Sequence, residues 1–254
     1  MKIVSYNVNG LRSALRKGLA DWLAAEAPDV VCLQEIKATE ADVDLAPLEA
    51  LGYQMYWHPA AKKGYSGVAT LVKQAPRHVQ IGCGIEAYDL EGRVLLVHLC
   101  TGEAVLNVYM PSGTTGEVRQ DFKFAWLADF MAFAQQMASH YEELFIVGDF
   151  NIAHTEQDIH NPVANKNSSG FLPEERTWMT QYLQAGFTDG YRHLHPDGRD
   201  YSWWTFRAGA RARNIGWRID YITATAKLAA RLKAARMARE AEHSDHCPVV
   251  VEWD

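Results

Sequence analysis

Polar residues follow several short apolar runs of this 254-residue chain, where a purely structural core would keep aliphatic side chains. Asn7 ends such a run in SYNVNG, Glu35 follows VVCLQ, Tyr109 closes NVY, and Asp149 and Asn151 follow FIVG. Because positions two apart in an extended chain point the same way, Asp149 and Asn151 share a face. A buried, unpaired carboxylate costs several kcal/mol, so such residues gathered at strand ends indicate a functional site.

These residue types suit hydrolysis of a phosphodiester. Mg²⁺ prefers oxygen ligands and typically takes one or two carboxylates from a protein, which Glu35, Asp245 and the amide of Asn7 could supply. A zinc site would need more histidine or cysteine ligands. The sequence therefore predicts a magnesium site.

Three further residues could carry out the chemical steps. Asp149 could orient or deprotonate an attacking water, and Asn151 could donate hydrogen bonds to the charge that develops on phosphorus. His246, in the segment HSDH, could be oriented by a buried aspartate. Taken singly, each residue has an ordinary explanation: a solvated strand end, a turn with side-chain hydrogen bonds, or a surface histidine. Their combination favours catalysis.

The elements that must position these residues are mostly strands. The predicted strands are Ile3–Val8, Asp29–Leu33, Val68–Val72, Val94–Leu99, Ala104–Tyr109, Leu144–Val147, Ile219–Thr223 and Pro248–Trp253. Apolar residues at three- and four-residue steps predict helices over Ser13–Ala25, Val118–Ser139 and Glu174–Ala185. Consecutive strands without a helix between them require hairpins. We therefore expect one α/β domain over 1–254, with two mixed β-sheets packed face to face and helices outside.

Charge is unevenly distributed along the chain. The net charge is −6, yet residues 201–239 carry nine Lys or Arg against the single acid Asp220. A localised basic face of this kind could bind phosphates while the rest of the surface stays acidic. The alternative is that Lys227–Arg239 is only the solvated side of a helix.

Other features narrow the class of protein. The four cysteines form no CxxC pair, which argues against a zinc knuckle or a disulfide framework. The N-terminal residues do not resemble a signal peptide, and no run approaches the roughly 18 apolar residues of a membrane span. We expect a cytoplasmic monomer without a membrane partner.

Eight motifs together resemble the exonuclease III family of apurinic/apyrimidinic endonucleases, within the endonuclease/exonuclease/phosphatase superfamily. They are SYNVNGLRS, LQEIKA, YSGVATLVK, VYMPSG, GDFNIAH, SSGFLPEER, WRIDY and SDHCPV, in that order. GDFN and SDH recur throughout the superfamily, whereas NGLR, SGFLPEER and WWTFRAGARARNIGWRIDY are typical of its DNA-repair branch. The resemblance implies a four-layer α/β sandwich with its site at one edge of the sheets.

The resemblance also implies roles for individual residues. Asn7 and Glu35 would help to hold Mg²⁺, for which Mn²⁺ could substitute, with Asp245 and His246 near the metal and phosphate. Tyr109 would contact the phosphate, and Asp220 would support His246. Whether Asp149 or the Asp220–His246 pair activates water stays open, and a second metal near Asp149 and Asn151 is allowed.

Aromatic and basic residues alternate between positions 203 and 218, which suits a sugar without its base and the adjoining DNA backbone. Trp203 and Trp217 match the abasic pocket of the family, whereas we expect Trp204 and Phe206 to be core residues. Arg207, together with Arg119 and Asn165 by resemblance, would contact DNA.

The predicted function is incision of double-stranded DNA 5′ to abasic sites, with 3′-5′ exonuclease and 3′-phosphatase activity on damaged 3′ ends as further activities of a base-excision repair enzyme. Two alternatives remain. One is a sister phosphoesterase that acts on inositol or sphingolipid phosphates, and the other is a DNA-binding relative without catalysis.

Overall fold

Twelve strands, numbered in chain order, form two six-stranded sheets in the computed structural model, which describes residues 1–254. The first sheet contains, in spatial order, β11 (Leu232–Met237), β12 (Val249–Trp253), β1 (Lys2–Asn7), β2 (Val30–Gln34), β4 (Val68–Val72) and β3 (Gln54–His58). The second contains β5 (His78–Ile81), β6 (Val94–His98), β7 (Ala104–Tyr109), β8 (Leu144–Asp149), β10 (Asp220–Thr225) and β9 (Phe187–Asp189). Both sheets are mixed, because β1 runs parallel to β2 and β7 parallel to β8 while the other pairs are antiparallel.

Nine α-helices connect the strands, and most are short. They are α1 (Leu11–Arg16), α2 (Leu19–Glu26), α3 (Ala46–Glu49), α4 (Glu86–Asp89), α5 (Glu117–His140), α6 (Pro162–Asn165), α7 (Pro173–Gln184), α8 (Gly190–Leu194) and α9 (Ala226–Ala229). No helix combines the length and the apolar content that crossing a membrane requires.

Alternation along the strands divides the core into layers. On β1, Ile3 packs between the two sheets, whereas Val4 and Tyr6 pack outward against α1 and α2. The outer face of the second sheet packs against α5 and α7, where Trp126 lies in the apolar cluster. The layers are therefore helices, sheet, sheet and helices, which confirms the predicted four-layer sandwich.

The predicted helix Ser13–Ala25 is wrong in one respect, because the chain forms α1 and α2 with a break between them. Gly18 adopts the left-handed conformation, with φ of 94°, and interrupts the helix there. The alternative that made Lys227–Arg239 the side of a helix is also wrong. Helix α9 ends at Ala229, and most of the remaining residues form the edge strand β11.

Candidate active site

Three of the predicted site residues lie side by side on the adjacent strands β7, β8 and β10. Tyr109 at the end of β7 pairs with Asp149 on β8, and Asp149 pairs with Asp220 at the start of β10. Directly paired residues place their side chains on the same face of a sheet. Strand pairing alone therefore brings two carboxyl groups and a phenol together at one end of the second sheet.

Asn7 connects these residues of the second sheet to the first sheet. It ends β1 and is fully buried, and its Nδ2 donates to Asp149 Oδ2 and to Glu35 Oε1, both at 2.9 Å. Glu35 follows β2, and its other oxygen forms an ion pair with Lys37 at 2.8 Å. Burial would raise the pKa of Glu35, but Lys37 and Asn7 outweigh burial and hold this pKa below its usual value. Glu35 is therefore ionised.

Asp245 is attached to the same cluster through Asn9, whose Nδ2 donates to Asp245 Oδ1 at 2.9 Å. Lys37 donates to Asn9 Oδ1 at 2.5 Å, so one lysine contacts both Glu35 and Asn9, which is the partner of Asp245. Burial opposes ionisation of Asp245, but His246 and the donors Asn9 and Trp203 hold its pKa below the usual value. The edge thus carries a second ionised carboxylate.

Two buried carboxyl groups flank His246. Its Nδ1 lies 2.9 Å from Asp220 Oδ2, and its Nε2 lies 4.0 Å from Asp149 Oδ2. Burial would lower the pKa of His246, but Asp220 and Asp149 more than reverse this and raise it to about 10. Burial and the charge of Asp220 raise the pKa of Asp149 to about 8. The cluster therefore pairs an imidazolium with a carboxyl group that titrates near neutral pH.

Asn151 lies just outside β8 and folds back on Asp149. Its backbone N–H donates to Asp149 Oδ1 at 2.8 Å, and its Nδ2 donates to Met110 O at 2.9 Å. Asn151, Glu35 and Asn9 all adopt positive φ, at 53°, 49° and 45°. Residues other than glycine rarely occupy this region, and such strain concentrates at functional sites.

A cleft of about 720 Å³ opens beside the cluster. Glu35, Asp149 and His246 line this cleft, and so do Trp203 and Trp217. The two indole rings are perpendicular, with centroids 6.1 Å apart, and Trp203 Nε1 donates to Asp245 Oδ2 at 3.1 Å. Charged groups therefore adjoin an apolar wall formed by two perpendicular indole rings.

The donors at this edge fit a hard divalent cation. Ligand atoms of Glu35, Asp149 and His246 all lie within 4.8 Å of one another. The carboxylates supply the oxygen atoms that Mg²⁺ prefers. His246 fits less well, because Asp220 engages its Nδ1 and the ring is held as a cation.

The remaining predicted DNA contacts lie outside this cleft. Arg119 forms a two-pronged ion pair with Glu91, with N···O distances of 2.8 and 3.1 Å. Asn165, the last residue of α6, donates to the backbone oxygens of His160 and Asn161. Arg207 begins a short 3₁₀ turn and is exposed.

The basic stretch 201–239 is not a continuous basic face. Five of its nine cations form ion pairs with carboxylates, namely Arg218, Lys227, Arg231, Lys233 and Arg236. Arg211 donates to four backbone oxygens. Arg207, Arg213 and Arg239 have no carboxylate partner.

The prediction for Trp204 is correct, since this side chain is buried. The prediction that Phe206 is a core residue is wrong, because it is 71% exposed. The chain turns into the 3₁₀ segment Arg207–Gly209 directly after it, so the alternation of the preceding residues ends there.

Four residues around the site were not predicted: Asn9, Lys37, Lys123 and Glu175. Lys123 Nζ donates to Asn151 O at 2.8 Å and forms a buried ion pair with Glu175 at 2.6 Å. The sequence does carry a signal for Lys123, which occupies the stripe that Leu127, Phe130 and Ala134 form on the buried face of α5. A lysine on such a stripe needs a buried partner.

Comparison with known proteins gives consistent results. A profile described as the endonuclease/exonuclease/phosphatase family matches residues 4–246. The exodeoxyribonuclease of Bacillus subtilis (strain 168) is 42% identical over 251 residues, which cover 98% of this chain and 98% of that protein.

Two solved structures extend this similarity to the fold. The 3′ phosphatase NExo from Neisseria, bound to a product DNA hairpin, superposes with a TM-score of 0.93 at 32% identity, covering 100% of this chain and 99% of that one. An AP endonuclease from Archaeoglobus fulgidus gives 0.92 at 32% identity with the same coverage.

Proposed function

The chain belongs to the endonuclease/exonuclease/phosphatase family, and from this we propose that it is a Mg²⁺-dependent DNA phosphodiesterase that incises duplex DNA 5′ to an abasic site. The observation that carries the proposal is the cleft in which the Asp149–His246–Asp220 cluster adjoins the Trp203–Trp217 wall. The cluster suits attack on a phosphate, and the wall suits a deoxyribose that has lost its base.

Asp149 is the residue that orients and deprotonates the attacking water. The raised pKa of its carboxyl, about 8, places it near the range in which a general base works best. The hydrogen bonds from Asn7 and from the Asn151 backbone fix the direction of its two oxygens. The Asp220–His246 pair is the alternative base, but its imidazole is held protonated and so suits binding of phosphate better.

Charge on the phosphate is met by donors already in place. The His246 imidazolium and the Asn151 amide both lie beside Asp149 Oδ2 and stabilise the extra negative charge of the transition state. Tyr109 lines the same cleft and contacts the phosphate. Burial and the nearby Glu35 carboxylate raise the pKa of Tyr109 well above its usual value, so its hydroxyl remains a donor.

Glu35, with Asn7 bonded to it and Asp245 linked to it through Lys37 and Asn9, would hold Mg²⁺, and Mn²⁺ would substitute because it accepts the same oxygen donors. When bound, the ion would supply a positive charge that polarises the phosphoryl oxygens. Asp149 would be a further oxygen donor, with Asn151 and His246 nearby as hydrogen-bond donors to the phosphate.

DNA contacts extend outward from the cleft. Trp203 and Trp217 pack against the baseless sugar, and Arg207 contacts the backbone. Arg119 contacts a phosphate while Glu91 holds its guanidinium, and Asn165 contacts DNA from the loop beyond the cleft. A cleft open at the surface also admits a damaged 3′ end, as suits 3′-phosphatase and exonuclease activity.

One assay tests the proposal by measuring cleavage of three substrates. They are a duplex with a single abasic site, an intact recessed duplex and a duplex with a 3′ phosphate, each incubated with Mg²⁺ and with chelator. We expect incision 5′ to the abasic site only with metal. Hydrolysis of a phosphoinositide but not of abasic DNA would identify a sister phosphoesterase instead. Binding without cleavage in every metal would identify a non-catalytic relative.

A further inference from the structure

We propose that the buried ion pair of Lys123 and Glu175 is a positioning device that fixes Asn151 and the Ser168–Gly170 wall of the cleft for catalysis. Neither residue lines the cleft, so neither touches the substrate. The proposal rests on the phosphodiesterase function proposed above.

Within the pair, Lys123 is the residue that contacts Asn151. Its Nζ lies 2.8 Å from Asn151 O and 2.6 Å from Glu175 Oε1, and the side chains of Lys123 and Glu175 are 1% and 0% exposed. Asn151 has a φ of 53°, in the left-handed region that asparagine tolerates better than most residues, so contacts to its backbone help to decide whether this conformation is kept. The bond from Lys123 to the Asn151 carbonyl is such a contact, and it comes from α5, outside the sheet.

Glu175 acts on the neighbouring segment Ser168–Gly170. Its Oε2 accepts from the backbone N–H groups of Gly170 at 2.6 Å and Leu172 at 3.0 Å. Gly170 is packed so tightly that a Cβ there would lie 3.0 Å from Asn151 O and 3.1 Å from the Trp217 ring. A shift of this segment therefore displaces both Asn151 and one of the cleft tryptophans.

Stability alone does not account for the pair. Removing two charges from water costs several kcal/mol per ion, and apolar residues of similar volume often stabilise a fold as well or better. The surroundings of Lys123 on α5 are apolar, with Leu127 and Phe130 on the same face. What an apolar pair could not provide is the set of four bonds to Asn151, Gly170, Leu172 and Gln120.

The test compares Lys123→Met, Glu175→Gln and the double variant with Glu103→Gln as a matched control. Glu103 is also buried, and it pairs with Arg231 and accepts from Trp253 Nε1. It precedes β7, whose six residues separate it from Tyr109 by roughly 20 Å of extended chain. Single-turnover cleavage and equilibrium binding of the abasic duplex are measured below the melting temperature of each variant.

We expect Lys123→Met and Glu175→Gln to slow the cleavage step on the order of 10²-fold, as a small misplacement of catalytic groups does, while the affinity for DNA changes far less. The double variant should cleave no more slowly than either single variant, because each single substitution already breaks the ion pair. Lys123→Arg, which keeps a buried donor, should recover most of the rate. Glu103→Gln should lower the melting temperature without slowing cleavage by folded protein.

Cleavage at the wild-type rate by folded Lys123→Met and Glu175→Gln would overturn the proposal, as would losses that match those of Glu103→Gln at equal folded fraction. Should Lys123→Met not fold, Glu175→Gln decides by the same criteria, and cleavage by Lys123→Arg that is as slow as cleavage by Glu175→Gln would also count against the proposal. A wild-type protein that does not cut abasic DNA would overturn the proposed function instead, a result that the wild-type lane alone reveals.

Discussion

The Nε2 atom of His246 faces Asp149 Oδ2 across 4.0 Å. An oxygen atom beside this gap can contact both groups, so the function proposed above would bring a water held by Asp149 and a phosphate oxygen held by His246 to one place. The strand pairing that aligns Asp149 with Asp220 also sets the partner of His246.

Asp149→Asn should slow the chemical step on the order of 10²- to 10⁴-fold, as expected when a general base is lost. Affinity for abasic duplex should be kept or improved, because the ionised fraction of Asp149 repels the phosphate and the amide does not. Single-turnover cleavage and equilibrium binding on one duplex separate the two effects. Weak binding combined with normal cleavage of the bound complex would instead assign water activation to Asp220 and His246.

Glu35→Gln keeps the shape of the side chain and removes its charge. Turnover should fall about 10²-fold or more and the Mg²⁺ requirement should rise, because a metal carboxylate is lost. A Mg²⁺ titration of the cleavage rate measures both. Glu103→Gln, a buried change far from the site, is the control. Wild-type turnover at ordinary Mg²⁺ would remove Glu35 from the site.

Stability of the metal-free protein should fall as pH rises from about 6.5 to 10. The folded pKa of His246 is raised to about 10, above the unfolded value of about 6.5, so its stabilisation is complete below 6.5 and is lost through 10. Asp149, raised to about 8, acts in the same direction, because the fold favours its neutral form. Melting temperatures in chelator should fall less over this range for Asp149→Asn and His246→Gln than for the wild type. Melting temperatures that fall equally with pH in the variants and in the wild type would contradict the assignment of this effect to His246 and Asp149.

Binding of abasic duplex should weaken steeply with salt, with a log–log slope of about −0.9 per phosphate contact. Arg207→Gln or Arg213→Gln should flatten the slope by about one contact, because neither cation has a carboxylate partner. Lys227→Gln should leave it unchanged, since this lysine is paired with Glu143 at 2.9 Å. An unchanged slope in every Arg variant would place the DNA elsewhere.

The strands missed by sequence analysis share one property. They are β3, β5, β9 and β11, the four edge strands of the two sheets. Edge strands have one unpaired side and, in β5 and β11, several exposed residues, so their apolar pattern is weak. The central strands were predicted because both of their faces are buried.

The same logic explains the site. Residues at the ends of central strands, such as Asp149, stood out against apolar runs. Lys123 carried only the signal of a lysine on an apolar stripe, and the roles of Lys123 and Glu175 depend on contacts between α5, α7 and a loop that no local pattern records. Pairing of the charges at 201–239 likewise needed tertiary structure, since the acids that neutralise them lie mostly far away in sequence.

The two sheets draw on the chain differently. Residues 78–225 supply all of the second sheet, whereas the first combines strands from 2–72 with strands from 232–253. During synthesis, the second sheet, with Tyr109, Asp149 and Asp220, can therefore assemble while the first still lacks two strands. His246 leaves the ribosome after nearly all of these, just ahead of β12. A nascent chain thus carries an incomplete cluster until His246 and β12 have been synthesised.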